Sequence, residues 1–153
     1  LRSDNAQGEY YLTDVVTLAV RDGFKVEAVV APTVAEVLGV NDKVQLAELE
    51  TEHRRQRARE LMLAGVTVLD PARLDVRGEV VVGRDVQLDV NVVLEGRVTL
   101  GDRVKIGAGS VLRNVSVGAD TVIEPHCVLV DATVGEACNV GPFARLRPGA
   151  RLE

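Results

Sequence analysis

The sequence predicts a chain of two parts: a mixed α and β segment up to about residue 65, then a parallel β-helix built from six-residue steps. Three observations support this reading. Valine occurs 30 times among 153 residues, 20 of them after residue 65, whereas Trp is absent and Phe and Tyr number two each. A core without aromatic rings must be narrow and filled by branched aliphatics, which is strand chemistry at high density. Aliphatic residues recur every six positions from Val76 onwards, and the part before Gly65 follows a different period.

The register is explicit. Counting in sixes from Val76 reaches Val82, Leu88, Leu94, Leu100, Ile106 and Leu112. A five-residue step gives Val117, followed by Ile123 and Leu129; a second gives Val134, followed by Val140, Leu146 and Leu152. All 14 positions hold Val, Leu or Ile. Four residues after most of them stands a small or β-branched side chain, such as Val86, Val98, Ser110, Thr121, Cys127 or Cys138. Glycine often follows the anchor directly, as at Gly83, Gly101, Gly107, Gly118, Gly135 and Gly141. Such a pattern marks a repeat architecture. Each hexapeptide supplies one short strand and one corner of a triangular coil. The anchor points inward, the residue four later fills a cramped inner slot, and glycine permits strained corner dihedrals. Coils stack in parallel at the usual ~4.8 Å strand spacing. The two shortened steps lie 17 residues apart, about one coil, so both are expected at the same corner.

The first 65 residues read differently. Thr13 and Asp14 offer side-chain oxygens to open a helix over Val15 to Val20, and Gly23 is placed to end it. Phe24 to Val30 alternates and then runs apolar, which suggests a strand entering a covered sheet. Ala31-Pro32-Thr33 breaks it, and Val34 to Leu38 fits one short helical turn before Gly39. From Asp42 to Ala64 there is neither Gly nor Pro, and apolar residues sit among alternating acids and bases. That reads as a long, mostly solvated helix ending at Gly65, a connector between two bodies or else a surface helix of one.

Composition excludes several functions. A formal net charge of −5 leaves no basic excess for a phosphate backbone, so no nucleic acid is expected. No apolar run approaches the ~18–20 residues that span a bilayer, so no membrane is expected. The chain opens without a charged and then apolar leader, and a cytoplasmic location is the default. Cys127 and Cys138 are too few and too unlike a metal-binding pair; both fall in inner slots, where buried thiols act as small hydrophobes. His53 belongs to the charged helix and is expected in solvent. His126 follows Pro125 at a corner and can face outward, but nothing in the sequence pairs with it as a base would require. Arg54, Arg55, Arg57 and Arg59 are balanced by Glu48, Glu50, Glu52 and Glu60, an ion-paired helix face.

Three local strings add a resemblance. They are Asn5-Ala6-Gln7-Gly8-Glu9-Tyr10-Tyr11-Leu12-Thr13-Asp14, Gly39-Val40-Asn41-Asp42, and Gly141-Pro142-Phe143-Ala144-Arg145-Leu146-Arg147-Pro148-Gly149. In this order and spacing the chain resembles, essentially end to end, the bacterial bifunctional enzymes that acetylate glucosamine 1-phosphate and uridylylate N-acetylglucosamine 1-phosphate. The resemblance implies an internal fragment. Residues 1–43 would be the C-terminal part of a Rossmann-like α/β nucleotidyltransferase (uridyltransferase) domain, 44–65 a linker helix, and 66–153 the first coils of a left-handed parallel β-helix acetyltransferase domain. The glycine-rich nucleotide loop, the aspartate sharing the magnesium ion, the acetyltransferase histidine and the acetyl-CoA contacts all lie outside these residues. This chain alone is therefore expected to lack both activities.

By the same resemblance, Asn41 is a Mg²⁺ ligand and nucleotide-sugar contact, and an amide oxygen is a sensible hard donor. Its alternative role is to cap the long helix. Gly39 would let the backbone approach the ligand, or simply make a turn. Glu9, Tyr11 and Thr13 would line the sugar pocket, although Thr13 also suits a helix cap and Tyr11 a core position. Arg147 would contact substrate in the acetyltransferase site, where a guanidinium fork suits phosphate; the alternative is a surface ion pair. Arg145 is the weaker choice. UTP, N-acetylglucosamine 1-phosphate, glucosamine 1-phosphate and acetyl-CoA are the implied ligands, and a homotrimer the implied assembly. Two competing readings remain: another sugar-nucleotide transferase with an appended β-helix, and a non-catalytic β-helical trimerisation module.

Overall fold

A computed structural model describes residues 3, 6, 8 and 10–153, and the chain divides into two compact units, residues 1–39 and 40–153. In the first unit, α1 covers Asp14–Arg21. Thr13 occupies the cap position but makes no capping bond with its side chain. The helix ends as its glycine requires: the Gly23 amide donates to the Val20 carbonyl and the Phe24 amide to the Ala19 carbonyl, with Gly23 at φ +81°. Val34–Val37 forms the expected short turn as a 3-10 helix. The strand expected over Phe24 to Val30 does not form a ladder. That stretch has no strand partner among the described residues, and Val29 and Val30 are exposed. A strand is defined by its neighbours, and alternation alone supplies none.

The second unit begins with α2, Lys43–Leu63. Asp42 caps it, its Oδ1 accepting from the Gln45 amide at 2.8 Å. Gly65 closes it at φ +95°, with the Val66 amide donating to the Leu61 carbonyl. Only Ala58 and Leu61 of this helix are buried.

After α2 the chain winds into a parallel β-solenoid of about five turns. Three faces of short strands close a triangular prism. The first face carries Val76, Leu94, Leu112, Leu129 and Leu146 in register; the second carries Val82, Leu100, Val117, Val134 and Leu152. The third carries Val68, Leu88, Ile106, Ile123 and Val140. Eleven of the 14 anchors are buried and Val82, Leu146 and Leu152 are half-buried against the same core. The inner slots follow suit. Val86, Val92, Val98, Val104, Ser110, Thr121 and Cys127 are buried, and Cys138 is half-buried. The two hydroxyls are satisfied: Ser110 Oγ donates to the Glu124 carbonyl at 3.1 Å and Thr121 Oγ1 to the Gly135 carbonyl at 2.8 Å.

Both five-residue steps do fall at one corner, between the first and second faces. There Gly96 of the second coil is succeeded by Asn114 and Asp131, each at positive φ, and the inner slot moves one place to Val115 and Ala132. The expectation for the anchor-following glycines needs correction. Gly83, Gly101, Gly107, Gly118 and Gly135 are not in the left-handed region; that conformation falls two residues on, at Asp85, Arg103, Gly109, Asp120 and Ala137, whereas Gly141 does have positive φ, at +110°. What excludes a side chain at Gly101 and Gly118 is the next coil. A Cβ at Gly101 would lie 2.6 Å from the Ala119 nitrogen, and one at Gly118 2.6 Å from the Gly135 carbonyl carbon.

Candidate functional site

The residues singled out from sequence fall in three places. Tyr11 and Thr13 share the turn that opens α1, where the Tyr11 carbonyl accepts from the Asp14 amide and the Thr13 carbonyl from the Val16 amide, both at 3.1 Å. Glu9, named with them, lies outside the described residues. Gly39 and Asn41 stand two residues apart in the exposed stretch leading into α2. A Cβ at Gly39 would meet nothing within 4 Å, so packing does not demand glycine there.

Asn41 is not the helix cap; Asp42 is. The Asn41 amide groups turn instead to Gln45 Oε1, the backbone N–H at 2.9 Å and Nδ2 at 3.3 Å. With Nδ2 directed to Gln45, the Oδ1 carbonyl is left for an outside donor or a cation. No cluster of three or more His, Cys, Asp or Glu able to hold a metal exists among the described residues. The fit to magnesium is therefore that of one neutral oxygen ligand, which suits an ion that takes few protein ligands and keeps water and phosphate oxygens.

Arg147 belongs to the last coil, one residue past the strand Arg145–Leu146. Leu146 packs against the core, and Arg145 and Arg147 flank it on the exposed side. The register explains why Arg147 differs from earlier arginines. Outward positions stack as Arg77, Glu95, Arg113 and Val130, and Arg147 continues that column. Arg77 is held by Asp75, with Nε to Oδ2 at 2.9 Å, and the bond keeps its guanidinium above the usual range. Arg113 Nη2 donates to Glu95 Oε2 at 2.9 Å. Beneath Arg147 stands a valine, and its guanidinium makes no ion pair among the described residues.

Further side chains tie coil to coil. Arg103 grips Asp120 with two bonds, 2.6 and 2.7 Å, and this hydrogen bonding holds the Asp120 carboxyl below its ordinary range and the guanidinium above its own. Asn114 Nδ2 donates to Asp131 Oδ1 at 2.9 Å. On α2 the expected pairing is partial: Arg57 meets Glu60 at 2.6 Å and Arg55 reaches Glu52 at 4.0 Å, whereas Arg54 donates to the Thr51 hydroxyl at 3.2 Å.

One feature gave no signal in the sequence. The His126 ring stacks on Phe143 of the following coil, centroids 5.3 Å apart at 14°, and stands over Gly109. The only available hint was that 109, 126 and 143 share a corner. A groove of about 740 Å³ also opens between α2 and the first coil, lined by Ala47, Glu50, Arg54, Arg57, Asp75 and Arg77 among others.

The fold defines a class: a parallel β-solenoid built in hexapeptide steps. Residues 76–150 match the family described as the GMPPB C-terminal domain. The whole chain matches more. It is 54% identical over 152 residues to the bifunctional protein GlmU of Acinetobacter baumannii (strain AYE), 52% to that of Acinetobacter baylyi and 55% to that of Azoarcus sp.. Each match covers 99% of this chain and 34% of the relative, so the chain spans about a third of the length of the curated relatives it matches. The resemblance carried by the three strings is borne out: from end to end the chain is related to the bifunctional GlmU proteins.

Proposed function

We propose that this chain is the portion of a bifunctional transferase that joins its uridyltransferase and acetyltransferase domains, in an enzyme making UDP-N-acetylglucosamine. The parent would transfer an acetyl group from acetyl-CoA to glucosamine 1-phosphate, then a uridylyl group from UTP to N-acetylglucosamine 1-phosphate. One observation carries the reading: the match to bifunctional GlmU proteins, 52–55% identical overall, spans 99% of the chain and so takes in the residues before the solenoid. The GMPPB match speaks for the alternative, a different sugar-nucleotide transferase with an appended β-helix, but it covers only 76–150. A bare trimerisation module would not account for the likeness before residue 76.

In this reading residues 1–43 complete a Rossmann-like nucleotidyltransferase domain, 44–65 link it, and 66–153 open a left-handed acetyltransferase solenoid. Glu9, Tyr11 and Thr13 offer a carboxylate and hydroxyls to sugar hydroxyls. Gly39, unhindered for 4 Å, leaves room for ligand at the backbone. Asn41 supplies its amide oxygen to Mg²⁺, which when bound offsets charge on the transferring phosphoryl group. Arg147, uncompensated in its column, holds the substrate phosphate by a bidentate fork. The assembly is a cytoplasmic homotrimer; no described helix is long and apolar enough to cross a membrane.

The experiment compares the 153-residue chain with a chain of the relatives' full length in both transferase assays. Activity in both is expected from the long chain and in neither from the short one. Turnover by the 153-residue chain, or absence of both activities in the long one, would overturn the proposal.

A further inference from the structure

The first coil of a solenoid faces a difficulty that later coils do not: no preceding coil bonds its open edge. In this chain the strand Asp75–Val82, which runs from the first face to the second, pairs only with the strand Val93–Leu100 among the described residues. Its odd-numbered residues bond that next coil, as the Asp75 amide does to the Val92 carbonyl at 3.0 Å and the Gly83 amide to the Leu100 carbonyl at 2.7 Å. In a parallel ladder the alternate residues Val76, Gly78 and Val80 must then present their polar groups to the open side.

That side is not empty. Arg57 Nη2 of α2 donates to the Gly78 carbonyl at 3.3 Å, while its Nη1 is held by Glu60 at 2.6 Å. On the third face the segment after the helix supplies a strand: the Thr67 amide donates to the Val86 carbonyl at 2.9 Å and the Leu69 amide to the Leu88 carbonyl at 3.0 Å. Inside the prism, Ala58, Leu61 and Val66 are buried in one cluster with Leu74, Val76, Val86 and Leu88. The rest of α2 stands apart. No residue of its first half is fully buried, and the 740 Å³ groove is lined by Ala47, Glu50 and Arg54 of the helix and by Asp75 and Arg77 of the first coil.

We infer that residues 57–68 are the amino-terminal cap of the solenoid. The last two turns of α2 and the strand after Gly65 take the place of a preceding coil, closing the core from above and occupying two of its edges. The first half of α2 has no part in this. Opening the cap exposes a parallel strand edge whose natural complement is the same edge of a second copy. This inference does not depend on which reaction the parent enzyme catalyses.

Hydrogen exchange on the 153-residue chain tests it. In the unmodified chain the amides of residues 61–64, Thr67 and Leu69 should exchange together with Gln87 and Asp89 of the first coil. Amides of residues 46–50 should exchange at least about tenfold faster, as a separately opening unit does. In Leu61→Asp, protection of Thr67 and Leu69 should fall at least about tenfold while Lys105 and Val122 keep theirs, and sedimentation should show more self-association than in the unmodified chain. Should that variant fail to fold, the unmodified pattern and the milder Arg57→Ala, which frees only the Gly78 carbonyl, still decide. Exchange of residues 61–64 at the rate of 46–50, or a folded Leu61→Asp with Thr67 and Leu69 still protected, would overturn the cap.

Discussion

Replacing Ile106 by Ala tests the solenoid at its centre. Ile106 is 2% exposed and sits on the third face between Leu88 and Ile123, its partners in the coils on either side. The change removes three carbon atoms, worth ~2.4 kcal/mol of transfer at ~0.8 kcal/mol each. A residual cavity of ~60–80 Å³ would add ~1.5–2 kcal/mol at ~24 cal/mol per Å³. Relaxation is restricted here, because the Lys105 amide is tied to the Thr121 carbonyl and the Gly107 amide to the Ile123 carbonyl, and no large aromatic ring can swing into the gap. The expected loss is therefore about 4 kcal/mol, toward the top of the ~2–5 kcal/mol range for such truncations. Urea unfolding followed by far-UV circular dichroism gives the value, with Lys105→Ala, the exposed neighbour, as a control within ~0.5 kcal/mol of the parent. A loss under ~1 kcal/mol at Ile106 would mean that the anchors do not form a close-packed column.

Four further outcomes are expected. Gly101→Ala should destabilise by ~1–3 kcal/mol through overpacking against the Ala119 backbone, and a neutral result in the same unfolding assay would remove the close approach as the reason for glycine. Because bonding to Arg103 depresses the Asp120 carboxyl, its contribution to stability is present above the carboxylate's unfolded pKa and disappears as pH falls through the lower folded value; the stability difference between parent and Asp120→Asn should shrink over that acid window. In a chain of the relatives' full length, Arg147→Ala should depress acetyl transfer and spare uridylyl transfer, with the reverse for Asn41→Ala; equal loss of both reactions in either variant would contradict the assignment. Val130→Glu, by placing a carboxylate under Arg147, should weaken acetyl transfer in the same long chain with Arg147 intact, and unchanged kinetics would show that its charge is not used.

The solenoid was legible because its cause is local and periodic. An inward anchor every six residues leaves a mark in the composition of each hexapeptide, and even the shortened corners at Asn114 and Asp131 announced themselves as missing residues. What failed were inferences that needed a neighbour. The alternation over Phe24 to Val30 says which side chains prefer burial, not whether a second strand is at hand. Asn41 and Asp42 are equally good caps in sequence, and backbone geometry chose Asp42. The glycines after the anchors were assigned to strained dihedrals because that is glycine's commonest use; here five of them answer to a backbone 18 or 17 residues away, and at four of those corners Asp, Arg and Ala accept the strain. The His126–Phe143 stack also arises between coils, where single-residue chemistry gives no warning.

Charges on the outer face of the solenoid pair by their position in the repeat. In a stacked coil every outward residue has a neighbour 17 or 18 positions away, so opposite charges in one column neutralise each other by register alone. Glu95 does this for Arg113, Asp120 for Arg103 and Glu79 for Arg97. A residue able to meet a ligand must be left out of such pairing, and the cheapest way is to make its neighbour apolar. In the role proposed for Arg147, Val130 is that neighbour. Substituting the neighbour changes no anchor, no corner and no inner slot, so the fold tolerates it. Along the Glu95–Arg113–Val130 column, Arg113 has a carboxylate one coil earlier and Arg147 a valine. In this Arg147 differs from Arg113, which shares its column, whereas Arg77 is held within its own strand by Asp75 and Arg103 by Asp120 of the following coil.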